Sequence, residues 1–226
     1  MRATPITAAA ALLTAGMLAG CGVAGTNFQP GVAADVGDRT VSTGKVDEIT
    51  TNYCAAIAEA LQLQDQAAPL SYLRQGVAAS LTLVQAAEQI EDEYAVELGA
   101  EVEQQRAEVE ARSADLPAEQ RDAVVELELA GGYVEAVTVA LGEQLIAEDG
   151  EEGADPAERG SQEFYSWIER EGVELNPIYG LDVVDGEFVT TDTGVSVAVG
   201  DVAAQGLSEQ PDIDYAKALP SSQRCG

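Results

Sequence analysis

Apolar side chains recur every three or four positions through the middle of the chain, which is typical of helices that bury one face. Ser42 and Thr43 precede the first stripe, and their hydroxyl groups suit a helix N-cap. A second stripe begins after Pro69 and a third after Pro117. The members of the first stripe are Val46, Ile49, Tyr53, Ile57, Ala60 and Leu61.

Two further segments extend the helical pattern. Residues 91–113 are highly charged with a thin apolar stripe, so we expect either a solvated helix or a continuation of the preceding one. Asp155 and Glu158 match a capping box in front of an aromatic-rich helix that Gly172 ends. The sequence therefore predicts helices throughout the interval 43–172.

Period-two patterns occur at both ends of the chain. Residues 31–41 predict a hairpin around a two-residue turn, and residues 173–202, including 195–199, predict short strands. Two or three short strands are not stable alone, so we expect the N- and C-terminal strands to pair with each other. The predicted fold class is mainly α with small β (α+β), closed by these strands and followed by a tail at 203–226.

The N-terminus has the features of a targeting segment. It has a charged start, an apolar stretch at 8–15 and the motif Leu-Ala-Gly-Cys ending at Cys21. The motif resembles the lipobox of bacterial lipoproteins, which implies cleavage before Cys21 and acylation of that cysteine. The protein would then be exported and anchored in the lipid bilayer at the outer face of the cell membrane, with a signal peptide at 1–20 and a tether at 21–30. A plain secretory signal or a short anchor helix is the alternative.

The chain contains three cysteines. If Cys21 carries lipid, Cys54 and Cys225 are the remaining thiols in an exported compartment, where disulfides persist. The simplest expectation is a disulfide between them, which would tie the first helix to the end of the chain. Two free thiols, or thiols paired between molecules, remain the alternative.

The charge balance excludes several function classes. The chain has 40 acidic and 11 basic side chains, no histidine and a formal charge of −29, which argues against a nucleic-acid partner. Without histidine there is no imidazole base and no mixed Cys/His zinc site. No enzymatic activity, metal or cofactor is predicted. The acidic run 148–158 indicates a solvated loop, and the short matches to catalytic motifs at 42–45 and 192–194 indicate a helix cap and a turn.

Two segments resemble SurA-type periplasmic chaperones. Residues 36–42, followed by Lys-Val-Asp at 45–47, look like the hairpin and helix start of that family. The sequence Asn-Pro-Ile-Tyr-Gly at 176–180 is similar to the Asn-Pro-Arg-Phe/Tyr-Gly segment of related exported foldases and lipoproteins, with Ile178 where arginine is common. The resemblance implies a SurA N-terminal-like domain at 31–226 without the histidine-containing parvulin isomerase domains of full-length relatives.

This resemblance implies chaperone-like (holdase) binding of unfolded or partly folded secreted proteins, without prolyl isomerase activity. The alternative is a structural or adaptor lipoprotein that binds one dedicated cell-envelope partner, and a solute-binding protein or cell-wall enzyme would instead need a deep polar pocket. The oligomeric state stays open. The candidate client-binding side chains, each of which is also a candidate core residue, are Tyr72, Tyr94, Tyr133, Phe164, Tyr165 and Trp167.

Overall fold

The structure is a computed structural model that describes residues 30–184, 187–191, 205–206 and 211–226. The predicted signal peptide, the lipidation site Cys21 and the tether up to residue 29 lie outside these residues. So do the predicted strand at 195–199 and the predicted turn at 192–194.

Helices make up most of the described chain and the strands are short, which confirms the mainly α fold with small β. The strands are β1 (Val32–Val36), β2 (Arg39–Ser42), β3 (Ala68–Pro69), β4 (Val173–Leu175), β5 (Leu181–Val184), β6 (Glu187–Thr190) and β7 (Arg224–Cys225). The helices are α1 (Thr43–Leu63), α2 (Leu70–Tyr94), α3 (Ala100–Arg112), α4 (Ala118–Asp149), α5 (Pro156–Glu171) and α6 (Ile213–Ala218).

Two predicted caps define helix starts. The Ser42 hydroxyl accepts a hydrogen bond from the amide of Lys45 at 3.1 Å and begins α1. The Asp155 carboxylate accepts from two amides of the first turn of α5, which Gly172 ends as predicted. Each cap satisfies amide groups that have no partner within the helix.

The charged segment at 91–113 is not one helix. Helix α2 ends at Tyr94, where Ala95 adopts a left-handed conformation with φ of 51°, and α3 starts only at Ala100. Val96 and Val109, one on each side of this break, are buried. The break lets α3 pack beside α4 instead of extending α2 into solvent.

The strands from the two ends of the chain form one antiparallel sheet in the order β2-β1-β4. Ala34 lies opposite Leu175 and Val36 opposite Val173, so the predicted pairing of N- and C-terminal strands is confirmed. Asn176 extends this contact, because its side-chain amide donates to the carbonyl of Val32 at 2.9 Å. All the long helices lie between the two paired strands in sequence.

A second closure joins the end of the chain to α1 and α2. Cys54 and Cys225 form a disulfide with Cα atoms 5.6 Å apart, and β7 pairs with β3 next to it. The bond closes a separation of 171 residues. The sequence predicted only a tail at 203–226, but that region contains α6 and β7, because β7 gains its order from a partner far away in sequence.

The main core lies between the sheet and α2, α4 and α5. Its inner surface is built by Val36 of β1, Ile90 of α2 and Leu141 of α4, all fully buried. The amide of Gln89 on α2 donates to the carbonyl of Val36 at 2.8 Å, which fixes the helix against the hairpin. This contact makes α2 the element that joins the sheet to the helices.

Helices α4 and α5 cross at a pair of glycines. A Cβ on Gly142 would lie 1.9 Å from the carbonyl oxygen of Pro156, and one on Gly160 would lie 1.8 Å from that of Thr138. Real Cβ atoms cannot approach backbone oxygens this closely. The two glycines therefore set the distance between the helices, and with it the position of the α5 aromatic residues.

We predict that Gly160→Ala lowers the free energy of unfolding by about 1–3 kcal/mol or more, because the added methyl group forces the helices apart. Gly131→Ala is the matched control, since a Cβ at this exposed helical position meets nothing within 4 Å. It should raise stability by up to about 1 kcal/mol, because alanine favours the helix. Urea unfolding followed by circular dichroism measures both; equal effects would contradict the close crossing.

Candidate binding groove

Two pockets lie one after the other along the same faces of α2 and α4. On α2 their lining residues Tyr72, Gly76, Ser80 and Leu83 follow one another three or four positions apart, so they share one face of the helix. On α4 the same spacing relates Leu127, Gly131 and Val134. We call this surface the central groove. Its two parts have volumes of about 480 and 320 Å³.

The central groove is almost free of charge. Among the described residues that line it, Glu135 is the one charged side chain, at the α5 end. This contrasts with the whole chain, in which 23% of residues are charged and the formal charge is −29. A long uncharged surface on such a protein marks a place where water and ions are easily displaced by an apolar ligand.

Gly76 and Gly131 are exposed in the groove and have no side chain, so the helix backbone forms the groove surface at these two positions. A Cβ at Gly76 or at Gly131 would meet nothing within 4 Å, so neither glycine is required by close packing of the helices. Both also weaken their helices relative to alanine by about 1 kcal/mol each. A binding role would explain why these two positions are glycine, because the missing side chain lets a ligand come close to the helix backbone.

Two of the six predicted aromatic residues stand at opposite parts of the groove. Tyr72 is 42% exposed at the start of α2, and Tyr165 is 40% exposed on α5. Phe164, beside Tyr165, is only 3% exposed and contributes to the groove wall from inside the core. The structure thus brings three of the predicted side chains to one surface.

Of the two positions that the sequence left open for Trp167, the structure shows the one in the core. Its side chain is 1% exposed, and its indole N–H donates to the Glu93 carboxylate at 2.7 Å. The same carboxylate accepts from Arg170 at 3.1 Å. The large ring fills the core beneath the hairpin, and burial of its apolar area there stabilises the fold more than an exposed position would.

Tyr94 and Tyr133 are half-buried, and each phenol donates to a carboxylate. The Tyr94 hydroxyl donates to Glu163 at 2.7 Å, and the Tyr133 hydroxyl donates to Glu91. Burial, followed by the hydrogen bond to Glu91, raises the pKa of the Tyr133 phenol well above its ordinary value. Burial and Glu163 act in the same direction on the pKa of Tyr94. Tyr94 thus links α2 to α5, and Tyr133 links α4 to α2.

A cavity larger than either part of the groove lies between α2, α3 and α4. Its volume is about 910 Å³, and acidic and basic side chains surround a small apolar floor. Two of its carboxylates already have cationic partners, Glu126 with Lys45 at 2.7 Å and Glu88 with Arg39 at 3.7 Å. A cavity with so many hydrated charges suits an apolar segment less well than the central groove does.

The described residues give no support for the catalytic motif at 42–45. Ser42 caps α1, and the Lys45 ammonium group lies 2.7 Å from Glu126. Arg159 binds Asp149 and Glu151 of the acidic run at 3.2 and 3.5 Å. Within the described ranges no group of three or more acidic or cysteine side chains could hold a metal ion, and no helix is long and apolar enough to cross a membrane.

Sequence reasoning missed the residues that shape the groove. Gly76, Ala79, Ser80 and Gly131 are small, and small residues carry little weight in a search for apolar or aromatic side chains. A usable signal was present, because glycine inside a strongly helical pattern requires a packing or functional reason. Gly142 and Gly160 have the packing reason, whereas Gly76 and Gly131 have space above them.

We predict that Tyr133→Phe lowers the free energy of unfolding by about 1–2 kcal/mol at neutral pH, because the hydrogen bond to a charged acceptor is lost. A raised folded-state pKa stabilises the fold below the unfolded-state value of about 10, and that stabilisation is lost as pH rises through the folded value. The difference between wild type and variant should therefore shrink in strongly alkaline solution.

Urea unfolding at several pH values measures this difference. Tyr72→Phe is the control, because the Tyr72 hydroxyl has no hydrogen bond to another described residue. A difference that stays constant from neutral to strongly alkaline pH would contradict the role given to the Tyr133 phenol.

No protein-family model, no curated protein and no solved structure matches the chain. The resemblances to the lipobox and to SurA-type chaperones therefore remain predictions that depend on the quoted residues alone. The fold itself and the uncharged central groove are the observations from which a function is inferred.

Proposed function

We propose that the protein is an exported, lipid-anchored binding protein whose central groove holds an apolar segment of another exported polypeptide. The observation that carries this proposal is the contrast between a groove with one charged lining residue and a chain with a formal charge of −29. The proposal keeps the chaperone-like hypothesis in a narrower form, because the site is a groove and not a broad aromatic surface.

The chemistry of the groove defines the segment it accepts. Apolar side chains can displace water from the floor between α2 and α4, and small residues there let an extended backbone come close. An acidic segment would be repelled by the surrounding surface, whereas lysine or arginine beside the apolar residues would be attracted. We therefore expect an apolar segment with basic flanks.

The expected anchor places this groove near the cell surface. At full extension the ten positions of the tether 21–30 reach at most about 35 Å. The acidic body is repelled by anionic lipid headgroups, so acyl chains on Cys21 would hold the protein at the membrane while its surface stays in water. Such a protein can receive segments from polypeptides that have just crossed the membrane.

Binding of one dedicated envelope partner is the second candidate, and the burial of Trp167 and Phe164 favours it. A holdase for many clients needs a large exposed apolar area, whereas here the large rings are 1% and 3% exposed. The two candidate functions differ in the number of polypeptides that the protein binds, and both use the central groove. Aggregation assays with several unrelated unfolded proteins distinguish them.

We predict that Gly131→Glu weakens binding of an apolar peptide at least about tenfold, because a carboxylate would have to be buried beneath the ligand. The probe is a fluorescein-labelled twelve-residue peptide of alternating leucine and serine with lysine at both ends, followed by fluorescence anisotropy. The space above Gly131 allows the new side chain without distorting α4. Gly76→Glu should act in the same way.

Ala111→Glu is the matched control, because it adds the same charge at an exposed position of α3 outside the groove. It should leave the affinity within about twofold of wild type. Loss of binding in both variants would indicate a general charge effect. Absence of binding by folded wild-type protein would reject the groove as a peptide site. Suppression of the aggregation of two unrelated unfolded proteins would favour the holdase, and its absence the dedicated partner.

We predict that Cys21→Ala releases the protein from the membrane fraction, because acylation at this position supplies the anchor. Fractionation of cells followed by detection of the protein measures the change, and mass spectrometry of the wild type should show the acyl mass on the N-terminal peptide. Ser42→Ala, at a position distant in sequence, is the control and should stay in the membrane fraction. Retention of Cys21→Ala in the membrane would contradict lipid anchoring at this residue.

A further inference from the structure

A second uncharged cavity adjoins the central groove. Its volume is about 270 Å³, and it shares Tyr72, Gln75 and Thr190 with the groove. We call it the terminal pocket. No charged side chain is among its described lining residues, which are Pro69, Ser71, Tyr72, Gln75, Ile178, Tyr179, Gly180, Thr190, Thr191, Gly206, Pro211 and Tyr215.

The walls of the terminal pocket come from segments far apart in sequence. One wall is the start of α2, and a second is the turn around Ile178, whose side chain is 71% exposed. Pro211 and Tyr215 provide the third wall from the C-terminal segment. Without that segment the pocket would be an open ledge beside Tyr72.

Among the described residues, the C-terminal segment is held by the packing of Ala216, which is fully buried, and by polar contacts of limited extent. Strands β3 and β7 pair over two residues only, and the Lys217 ammonium group forms an ion pair with the largely exposed Asp65 at 2.7 Å. Exposed ion pairs contribute little, and two-residue strands are weak. The disulfide between Cys54 and Cys225 is the covalent link, and the Cys225 side chain is fully buried.

We infer that the Cys54–Cys225 disulfide is a positioning element of the binding site, and that it completes the site by holding Pro211 and Tyr215 opposite Tyr72. The inference rests on the proposed binding of a polypeptide segment and adds that the affinity for this segment is regulated by oxidation of the two cysteines. The central groove exists in the reduced chain, but the terminal pocket is built only after oxidation. Full affinity is therefore restricted to the exported protein.

Formation of the Cys54–Cys225 disulfide requires a two-electron oxidant, and a second disulfide can serve as that oxidant. The two cysteine thiols lose two protons and two electrons and form one S–S bond, while the oxidant's own disulfide takes up both and becomes a dithiol. A thiol–disulfide oxidoreductase of the exported compartment belongs to this chemical class. Inside the cell the thiols stay reduced, so the protein binds long segments more weakly before it is exported.

Charge complementarity defines what occupies the terminal pocket. The described lining of the pocket carries no charged side chain, and Asp212 and Asp214 are next in sequence to its lining residues Pro211 and Tyr215. A large apolar side chain followed by lysine or arginine fits this arrangement, because the apolar part enters the pocket and the cation meets the carboxylates. The occupant is the end of the same polypeptide segment that lies in the central groove.

The lengths of two probe peptides separate the two parts of the site. The face of α2 from Tyr72 to Leu83 spans about 17 Å, which six extended residues cover. The probes are the twelve-residue leucine–serine peptide with lysine at both ends and a six-residue version of it. Only the longer peptide can fill the central groove and reach the terminal pocket together.

The test compares oxidised wild-type protein, in the form the cell produces, with Cys54→Ser/Cys225→Ser and with oxidised Tyr215→Ala. We expect both variants to bind the twelve-residue peptide about tenfold more weakly and the six-residue peptide unchanged. Unchanged binding of the short peptide also shows that the cysteine variant is folded. Ile213→Ala is the control on α6, at an exposed position that does not line the pocket.

Equal affinity of oxidised wild type and oxidised Tyr215→Ala for the long peptide would overturn the inference. Because Tyr215→Ala keeps the disulfide, this comparison can be made even if the cysteine variant fails to fold. With equal affinities the proposed function would stand, because wild type still binds the peptide. Absence of binding of both peptides by oxidised wild type would reject the proposed function together with the inference.

Discussion

The antiparallel pairing of β1 with β4 is the constraint on which the rest of the structure depends. The two strands are separated in sequence by all the long helices, so their pairing converts an open helical chain into a closed unit. Gln89 of α2 bonds to the carbonyl of Val36 in this sheet, and Trp167 of α5 packs below the hairpin turn at Gly37. The positions of α2 and α5 therefore follow from the sheet.

The central groove is a consequence of how α2, α4 and α5 are held. Gly142 and Gly160 bring α5 close to α4, which places Tyr165 beside Val134. Gly76 and Gly131 have no such packing role and leave the surface between α2 and α4 low. Gly142 and Gly160 thus allow two helices to pack closely, whereas Gly76 and Gly131 leave space at the protein surface.

Local patterns predicted the helices, their caps at Ser42 and Asp155, and the pairing of the terminal strands. Helical periodicity and capping chemistry act over a few residues, so the sequence contains their complete signal. The pairing of β3 with β7 was not predictable, because two residues have no periodicity. The sequence left open whether Trp167 faces a client or the core, since an aromatic residue on a helix has the same pattern in either position.

The same limit explains why the sequence could not decide which candidate side chains lie at the surface. The Trp167 indole N–H donates a hydrogen bond to the Glu93 carboxylate, although the two residues are 74 positions apart in sequence. Such a contact can be recognised only in the folded chain. Once that ring is in the core, the surface between Tyr72 and Tyr165 combines small residues such as Gly76 and Gly131 with aliphatic side chains such as Leu83 and Leu127. Under the proposed function, recognition depends on the near absence of charge within the groove and on attraction of basic residues by the acidic surface around it.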